Sequence, residues 1–449
     1  MLTKTSFQPS SIYKLCLFAL TIFTLLFHWD YETSLLTDIQ GSRDRYLSGN
    51  GDTFLGGISA VFYGSIPNSY FLWWQYLLIG QALATGLGLY FIFLHQVNFK
   101  GKLNLIVTVF LSYLILNLGV SQSRDGIMIS GTTLLIGLLI RLPTSKFYML
   151  LPVFIFIFTY SFRPWLAFAF FLVIFTAFRL KTKASRLKAI MLSILIVIFP
   201  SVSEFTISDF WNIKSGFPQQ AVMIHDLGGT YCLSSTQQSR EIAYKALLKL
   251  AYSEESLDYF CNSYKPTMWQ STSSPNITDP VLSLLPPPIN TIKAGDQLAY
   301  KELEKSWVHL ILSDPKTYIQ NHLYFLTQIL VGGDSTSIEM DKYFSQFVEN
   351  RNFDSLISFI GSIYNFPWKL IVMSYLLTPF FIYFTQVLFI FFGRKLTYVR
   401  FNFQFNMLFL FWIALTTFGF VSDNGRYTYL PALLVIGNWV YQLPKIRLN

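Results

Sequence analysis

The 24 acidic residues of this chain are unevenly placed. They are absent from the short connections where lysine and arginine cluster, and they gather in the connections between those. The segments being connected are about ten apolar runs. Several are shorter than the roughly 20 residues a membrane-crossing helix needs, so their ends must take in flanking polar residues. This alternation constrains the fold strongly. It calls for apolar helices threaded back and forth through a bilayer, with basic connections on the cytoplasmic side and acids on the other.

Composition fits that reading. The chain is 53% hydrophobic, 18% aromatic and 13% charged, against about 25% charged residues in a soluble domain. The net charge of +9 reads as cationic anchoring beside anionic headgroups, not as a nucleic-acid footprint.

The spans are expected at 12–29, 71–95, 103–121, 126–141, 147–162, 164–179, 187–202, 366–392, 402–421 and 427–443. Pro164 suits the first turn of a new helix. Lys4, Lys14, Lys100, Lys102, Arg141 and Lys146 mark one side, as do the run from Arg179 to Lys188, then Arg394, Lys395, Arg400, Lys445 and Arg447. The opposite short loops hold only Arg43, Arg45, Arg124, Arg163 and Arg426. Both termini are therefore expected in the cytoplasm, with the chain in a bacterial inner (plasma) membrane. The first run ends at Trp29 and is followed by Asp30, Tyr31 and Glu32, without a small-residue cleavage site. It reads as an uncleaved signal anchor. Segment 318–333 could be an eleventh span, but counting it would put Arg394 and Lys395 outside. A helix lying on or dipping into the external surface is the expectation.

The expected fold is thus an all-α polytopic membrane protein of about ten transmembrane helices, possibly eleven, with a mostly helical external cap. Residues 1–202 form an N-terminal membrane domain of seven spans with external loop 30–70. Residues 203–365 form the cap, and 366–449 a C-terminal membrane segment of three spans. Loop 30–70 reads as two short interfacial helices, about 34–48 and 54–64, split by Ser48-Gly49-Asn50-Gly51.

The external span edges concentrate charge. Arg124 and Asp125 share one tight turn, Arg163 sits in another, and Asp423 and Arg426 in a third. A guanidinium is a planar fork that matches phosphate oxygens. Such a ring suits a substrate with a phosphate at headgroup level and a lipid tail in the bilayer. Each charge alone also reads as an ordinary interfacial residue or a local ion pair. The five histidines (His28, His95, His225, His309, His322) have no metal-ligand spacing and read as interfacial or loop residues. No CxxC or Cys/His cluster exists, so no metal site is expected, and metal dependence stays open. Cys232 and Cys261 both lie in the external segment. There they either pair, across a loop long enough to close, or remain two thiols. Trp73 and Trp74 read as an aromatic belt. Asn276-Ile277-Thr278 fits an N-glycosylation acceptor, a pattern that chance often supplies.

Motif order adds a resemblance. An acidic first external loop carries TDIQGSRDRYL and then FLGGISAVFYG. A basic-Asp turn follows (SQSRDGIM), then an arginine turn (SFRPW), a Trp helix ending in Asp-Pro-x-x-Tyr (SWVHLILSDPKTYI), and GRYTYLP opening the last span. In layout the chain resembles the GT-C-fold membrane glycosyltransferases, which take a sugar from a polyprenyl-phosphate donor. It is most like the bacterial relatives of the protein O-mannosyltransferases. The resemblance implies that an acid of the first external loop is the catalytic base. Asp38 matches best, with Asp30 and Glu32 as rivals. It implies that Arg163 and Arg426 hold the donor phosphate, with Arg124 as a third candidate, and that Asp125 orients the acceptor or an arginine. The His-Pro dipeptide often seen after the first interfacial helix is absent. Asp52-Thr53 stands near that place, so the role of Asp52 and the acceptor stay open: glycan, lipid or protein. The donor would be the main partner, together with membrane lipid, and no cofactor beyond it is implied.

Two other readings compete. An O-antigen-type polysaccharide polymerase is also polytopic, with a large external loop and key arginines, but takes an oligosaccharide-diphosphate donor. A flippase or transporter for lipid-linked sugars would need ionisable residues within the spans. These spans hold essentially none, and no internal repeat is evident.

Overall fold

The computed structural model describes residues 9–29, 57–96, 102–120, 124–141, 147–171, 184–211, 219–249 and 295–331, with part of 40–48 and single positions between these stretches. The spans expected at 366–392, 402–421 and 427–443 lie outside the described residues. Among the described residues the chain is helical, with no strand.

Four helices set up the bundle: α1 (Pro9–Trp29), α3 (Trp73–Gln96), α4 (Lys102–Gly119) and α5 (Arg124–Arg141), with the short α2 (Gly57–Ser65) between the first two. Their contacts fix the directions. Tyr13 of α1 meets Phe93, and the Gln75 amide donates to the Trp29 carbonyl at 3.3 Å, so α1 and α3 are antiparallel. Tyr13 also shares a 3.0 Å hydrogen bond with Ser112 of α4, while Gly119 faces Thr85. Hence α4 runs opposite to α3. Helix α5 returns parallel to α3, with backbone close against backbone. A Cβ on Gly88 would lie 2.5 Å from the backbone of Thr133, and one on Gly137 would lie 2.7 Å from the Gly88 carbonyl oxygen. Small residues of this kind let apolar helices touch backbone to backbone.

Helix α6 (Leu150–Ser161) packs on α5 through a buried 2.8 Å bond between Tyr160 and Thr132. Arg163 and Pro164 then start a new element, but one wound as a 3-10 helix over Pro164–Phe170, where a regular membrane span was expected from 164. Phe170 rests on the rings of Tyr160 and Phe156. Helix α7 (Arg186–Phe210) is N-capped by Ser185 and continues past the expected end at 202. The helix runs on through Pro200, and the change to polar side chains at Ser203 and Glu204 does not itself end a helix.

Trp73–Phe93 and Arg186–Phe210 are long and apolar enough to cross a membrane. On α1, α6 and α7 one set of large apolar side chains points outward: Leu15, Phe18, Leu150, Phe154, Leu187 and Leu195 are each more than 60% exposed. An apolar surface of this extent calls for a covering other than water.

A second buried cluster is separate from the bundle's. It joins α8 (Gln220–Leu233), α9 (Gln237–Lys249) and α10 (Gln297–Ser313) through Ile224, Leu227, Ala243, Leu247, Leu303 and Leu310. A disulfide links Cys232 to Cys261. Helix α11 (Pro315–Val331), which contains most of the segment that could have been an eleventh span, packs on α8 and α10.

Candidate functional site

One end of the bundle gathers the last residue of α1, the first turn of α3, the end of α6 and the polar stretch of α7. Helix α2 lies among them. At nine residues it is shorter than the ~12–15 an isolated helix needs, so its stability comes from outside.

Both of its ends are held by charges from elsewhere in the chain. At the N-terminal end the Glu204 carboxylate of α7 accepts the Ile58 N–H at 3.1 Å. At the C-terminal end the buried Arg43 guanidinium donates to the carbonyls of Tyr63 at 2.7 Å and Ile66 at 3.1 Å. An acid at the start and a base at the end both complement the helix dipole. Arg43 also lies 5.2 Å from the centre of the Trp73 ring, whose indole N–H donates to Gln40. Trp73 and Trp74 are therefore buried inside the protein, not members of an exposed aromatic belt.

Phe62 of α2 packs edge-on against Phe158 and Phe162, and Tyr63 lies between Phe162 and Trp73. This seats the first loop directly on the turn that carries Arg163. Arg163 is buried, and its backbone N–H donates to the Tyr160 carbonyl at 3.1 Å. Two residues earlier, the Ser161 hydroxyl meets the Ser203 hydroxyl of α7 at 3.2 Å. The end of α6, the polar stretch of α7 and α2 thus form one three-way junction.

Of the catalytic and substrate-binding residues expected from sequence, Arg163 is the one whose side chain is described, and the structure brings it against the first loop. Arg124 and Asp125 open α5, with their side chains outside the described residues. Asp30, Glu32, Asp38, Asp52 and Arg426 lie outside them as well. Glu204 and Arg43 are the junction residues that sequence reasoning passed over. The available signal was a carboxylate in the continuation of an apolar helix, and an arginine pair, Arg43 and Arg45, in an acid-rich loop.

The second cluster, in the segment expected to form the cap, has its own polar centre. Buried Asp226 accepts the Trp307 indole N–H at 2.8 Å, and its other oxygen lies 3.2 Å from His322 Nε2. Tyr318 packs on the His322 ring. Burial, with the Asp226 charge adding, pushes the Tyr318 phenol up to about 12, so it stays protonated at neutral pH. His225 and His322 are buried helical residues, not the interfacial or loop histidines expected. At the α10–α11 corner, Asp314 accepts from the Ser234 hydroxyl at 2.6 Å and from the Thr317 N–H at 3.1 Å. Burial alone would raise its carboxyl, but these hydrogen bonds together outweigh that and hold it below its ordinary range. The Trp307, Asp314 and Tyr318 motif is thus spent on joining α8, α10 and α11. Among the described residues no group of His, Cys, Asp and Glu could hold a metal ion.

No family model, no curated protein and no solved structure matches the chain.

Proposed function

We propose that this chain is an integral-membrane glycosyltransferase that moves a sugar from a polyprenyl-phosphate donor to a glycan, lipid or protein acceptor. The reading places both termini in the cytoplasm, and residues 203–365 with the catalytic face outside a bacterial inner membrane. The observation that carries it is the seating of the first-loop helix α2 on the turn of Arg163, at one end of an apolar bundle. That is where a base from the first loop and a phosphate-binding arginine would have to meet.

In this reading a first-loop carboxylate takes the proton of the acceptor hydroxyl. Asp38 is the first choice, with Asp30 and Glu32 as alternatives. The acceptor oxygen bonds to the anomeric carbon as the bond from that carbon to the phosphate oxygen breaks. The leaving phosphate carries its charge to Arg163 and Arg426, with Arg124 as a further donor. Asp125 orients the acceptor or an arginine, and Asp52 is kept as a substrate-side residue of open role. Two further features support the orientation: the back-and-forth directions of α1, α3, α4 and α5, and a disulfide suited to an oxidising compartment.

The test is sugar transfer in membranes from a monosaccharide polyprenyl phosphate. Asp38→Asn is expected to lower turnover at least ~100-fold, since a general base supplies about 10²–10⁴. Arg163→Lys keeps the charge but loses the fork, and should weaken donor use. Loss in Asp30→Asn or Glu32→Gln with an active Asp38→Asn would move the base. Chain growth from an oligosaccharide diphosphate, with no monosaccharide transfer, would replace this reading with a polymerase.

A further inference from the structure

We propose that Glu204 is a positioning residue, whose carboxylate fixes the first-loop helix α2 against the turn bearing Arg163. The consequence for turnover rests on the glycosyltransferase reading. The clamp itself does not.

The geometry is a closed circuit through three elements. Arg163 follows Phe162 and Ser161. The Ser161 hydroxyl bonds Ser203, one residue before Glu204 on α7. Glu204 accepts the Ile58 N–H of α2, and Phe62, one turn along α2, returns to Phe162. Each contact joins different elements, and the Glu204 bond spans 146 residues of sequence. The first N–H groups of a helix have no partner within it, so an acceptor delivered from another element sets where that end lies. A carboxylate does this better than a neutral group, because it also meets the positive end of the dipole. Pro200 donates no backbone hydrogen bond, and Ser203 Oγ donates to its carbonyl at 2.9 Å. The turn of α7 that presents Glu204 is therefore shaped locally, by proline and serine.

Arg43 holds the opposite end of α2, so losing Glu204 should free one end and leave the other tethered. The loop would stay on the protein with its angle to Arg163 no longer set. That loss should appear in the rate of the chemical step more than in donor binding, because misplacing a reacting group by about 1 Å can cost 10²-fold.

The experiment uses the full-length protein in lipid nanodiscs with two readouts. The first is amide exchange of residues 57–65, with residues 85–91 of α3 as an internal reference. The second is transfer kinetics with a monosaccharide polyprenyl phosphate. In Glu204→Ala, exchange at 57–65 should rise about tenfold, the scale of losing a helix cap, with the reference unchanged. The kcat should fall tenfold or more, while KM for the donor stays within about threefold. Glu204→Gln keeps an acceptor oxygen, and should restore slow exchange and most of kcat.

Unchanged exchange at 57–65 in Glu204→Ala overturns the clamp. Faster exchange with unchanged kcat overturns the positioning role and leaves a brace. If Glu204→Ala loosens the reference too, Glu204→Gln decides: fast exchange at 57–65 in a folded Gln variant overturns the proposal. Wild-type protein that transfers no sugar sinks the glycosyltransferase reading instead, and the exchange readout then judges the clamp by itself.

Discussion

The Cys232–Cys261 bond gives the cap a stability that can be measured. The two cysteines are 29 residues apart, with one at the end of α8 and the other beyond α9. Chain-entropy arithmetic for a closed loop of that length gives about 3.6 kcal/mol at 25 °C, through restriction of the unfolded chain. That is a large share of the ~5–15 kcal/mol that holds a typical domain. The perturbation is Cys232→Ser with Cys261→Ser, in a Cys16→Ser background so that no thiol remains. The assay is amide exchange of α8, α9 and α10 in detergent-solubilised protein, with α3 and α5 as the reference. Opening of the cap helices should become easier by about 3 kcal/mol, a hundredfold or more in exchange rate, while the bundle amides hold. Two results would refute the reasoning. One is cap exchange that ignores the double substitution. The other is wild-type protein whose two cysteines are both alkylated without reduction. The bond also reports on compartment, since disulfides persist in oxidising surroundings. A reporter fused near residue 260 should read external, and a cytoplasmic signal there would remove the topology.

Arg43→Met should release the C-terminal end of α2. It removes charge-assisted hydrogen bonds worth roughly 1.5–3 kcal/mol each and the contact with Trp73. Faster proteolysis between residues 40 and 70 checks this, and Arg43→Lys should recover only part of the loss. Gly88→Leu should be far more damaging than Gly80→Leu, because a Cβ at 88 meets Thr133 backbone while nothing lies near position 80. Comparing thermal aggregation of the two variants tests it, and equal behaviour would argue against the tight α3–α5 contact. Asp314 predicts an acid limb. Its carboxyl is held below the ordinary 3.8, so its stabilisation of the cap is present above that value and is lost as the pH falls through the lowered folded value. Cap unfolding followed from pH 5 down to 2 should show a loss that Asp314→Asn flattens.

Much of the helical layout is legible in the chain because apolar run length is a local property. The runs at 71–95 and 187–202 appear as α3 and α7, and the Arg163-Pro164 pair does mark a boundary. The pairing of Cys232 with Cys261 was one of two open readings, and their Cα atoms, 5.2 Å apart, decide for the bond. The junction was not legible. Glu204 looks like the frayed end of a span until α2, 146 residues away in sequence, supplies the N–H it accepts. Arg43 looks like a stray external cation, because its partners are backbone carbonyls, which carry no side-chain signature. Trp73 and Trp74 mislead for a related reason. Tryptophan at a span edge is the mark of a headgroup belt, yet a guanidinium and a glutamine from the preceding loop cover Trp73. The first-loop acids are ranked by the resemblance alone, which puts Asp38 ahead of Asp30 and Glu32, because all three lie within nine positions of one another.

The two buried clusters have a bearing on how the chain comes into being. The bundle's cluster draws on residues from Tyr13 to Val197, and the cap's on residues from Phe217 to Leu310. Among the described residues the two do not interleave in sequence. As the chain leaves the ribosome, at ~5–20 residues per second, the described members of the first cluster are made before any described member of the second exists. Cys261 follows Cys232 within a few seconds at that rate. Insertion and oxidation can therefore proceed in order, each on its own stretch of chain. The junction is set early too: Ile58, Ser161 and Glu204 have all been synthesised before α8 begins at Gln220.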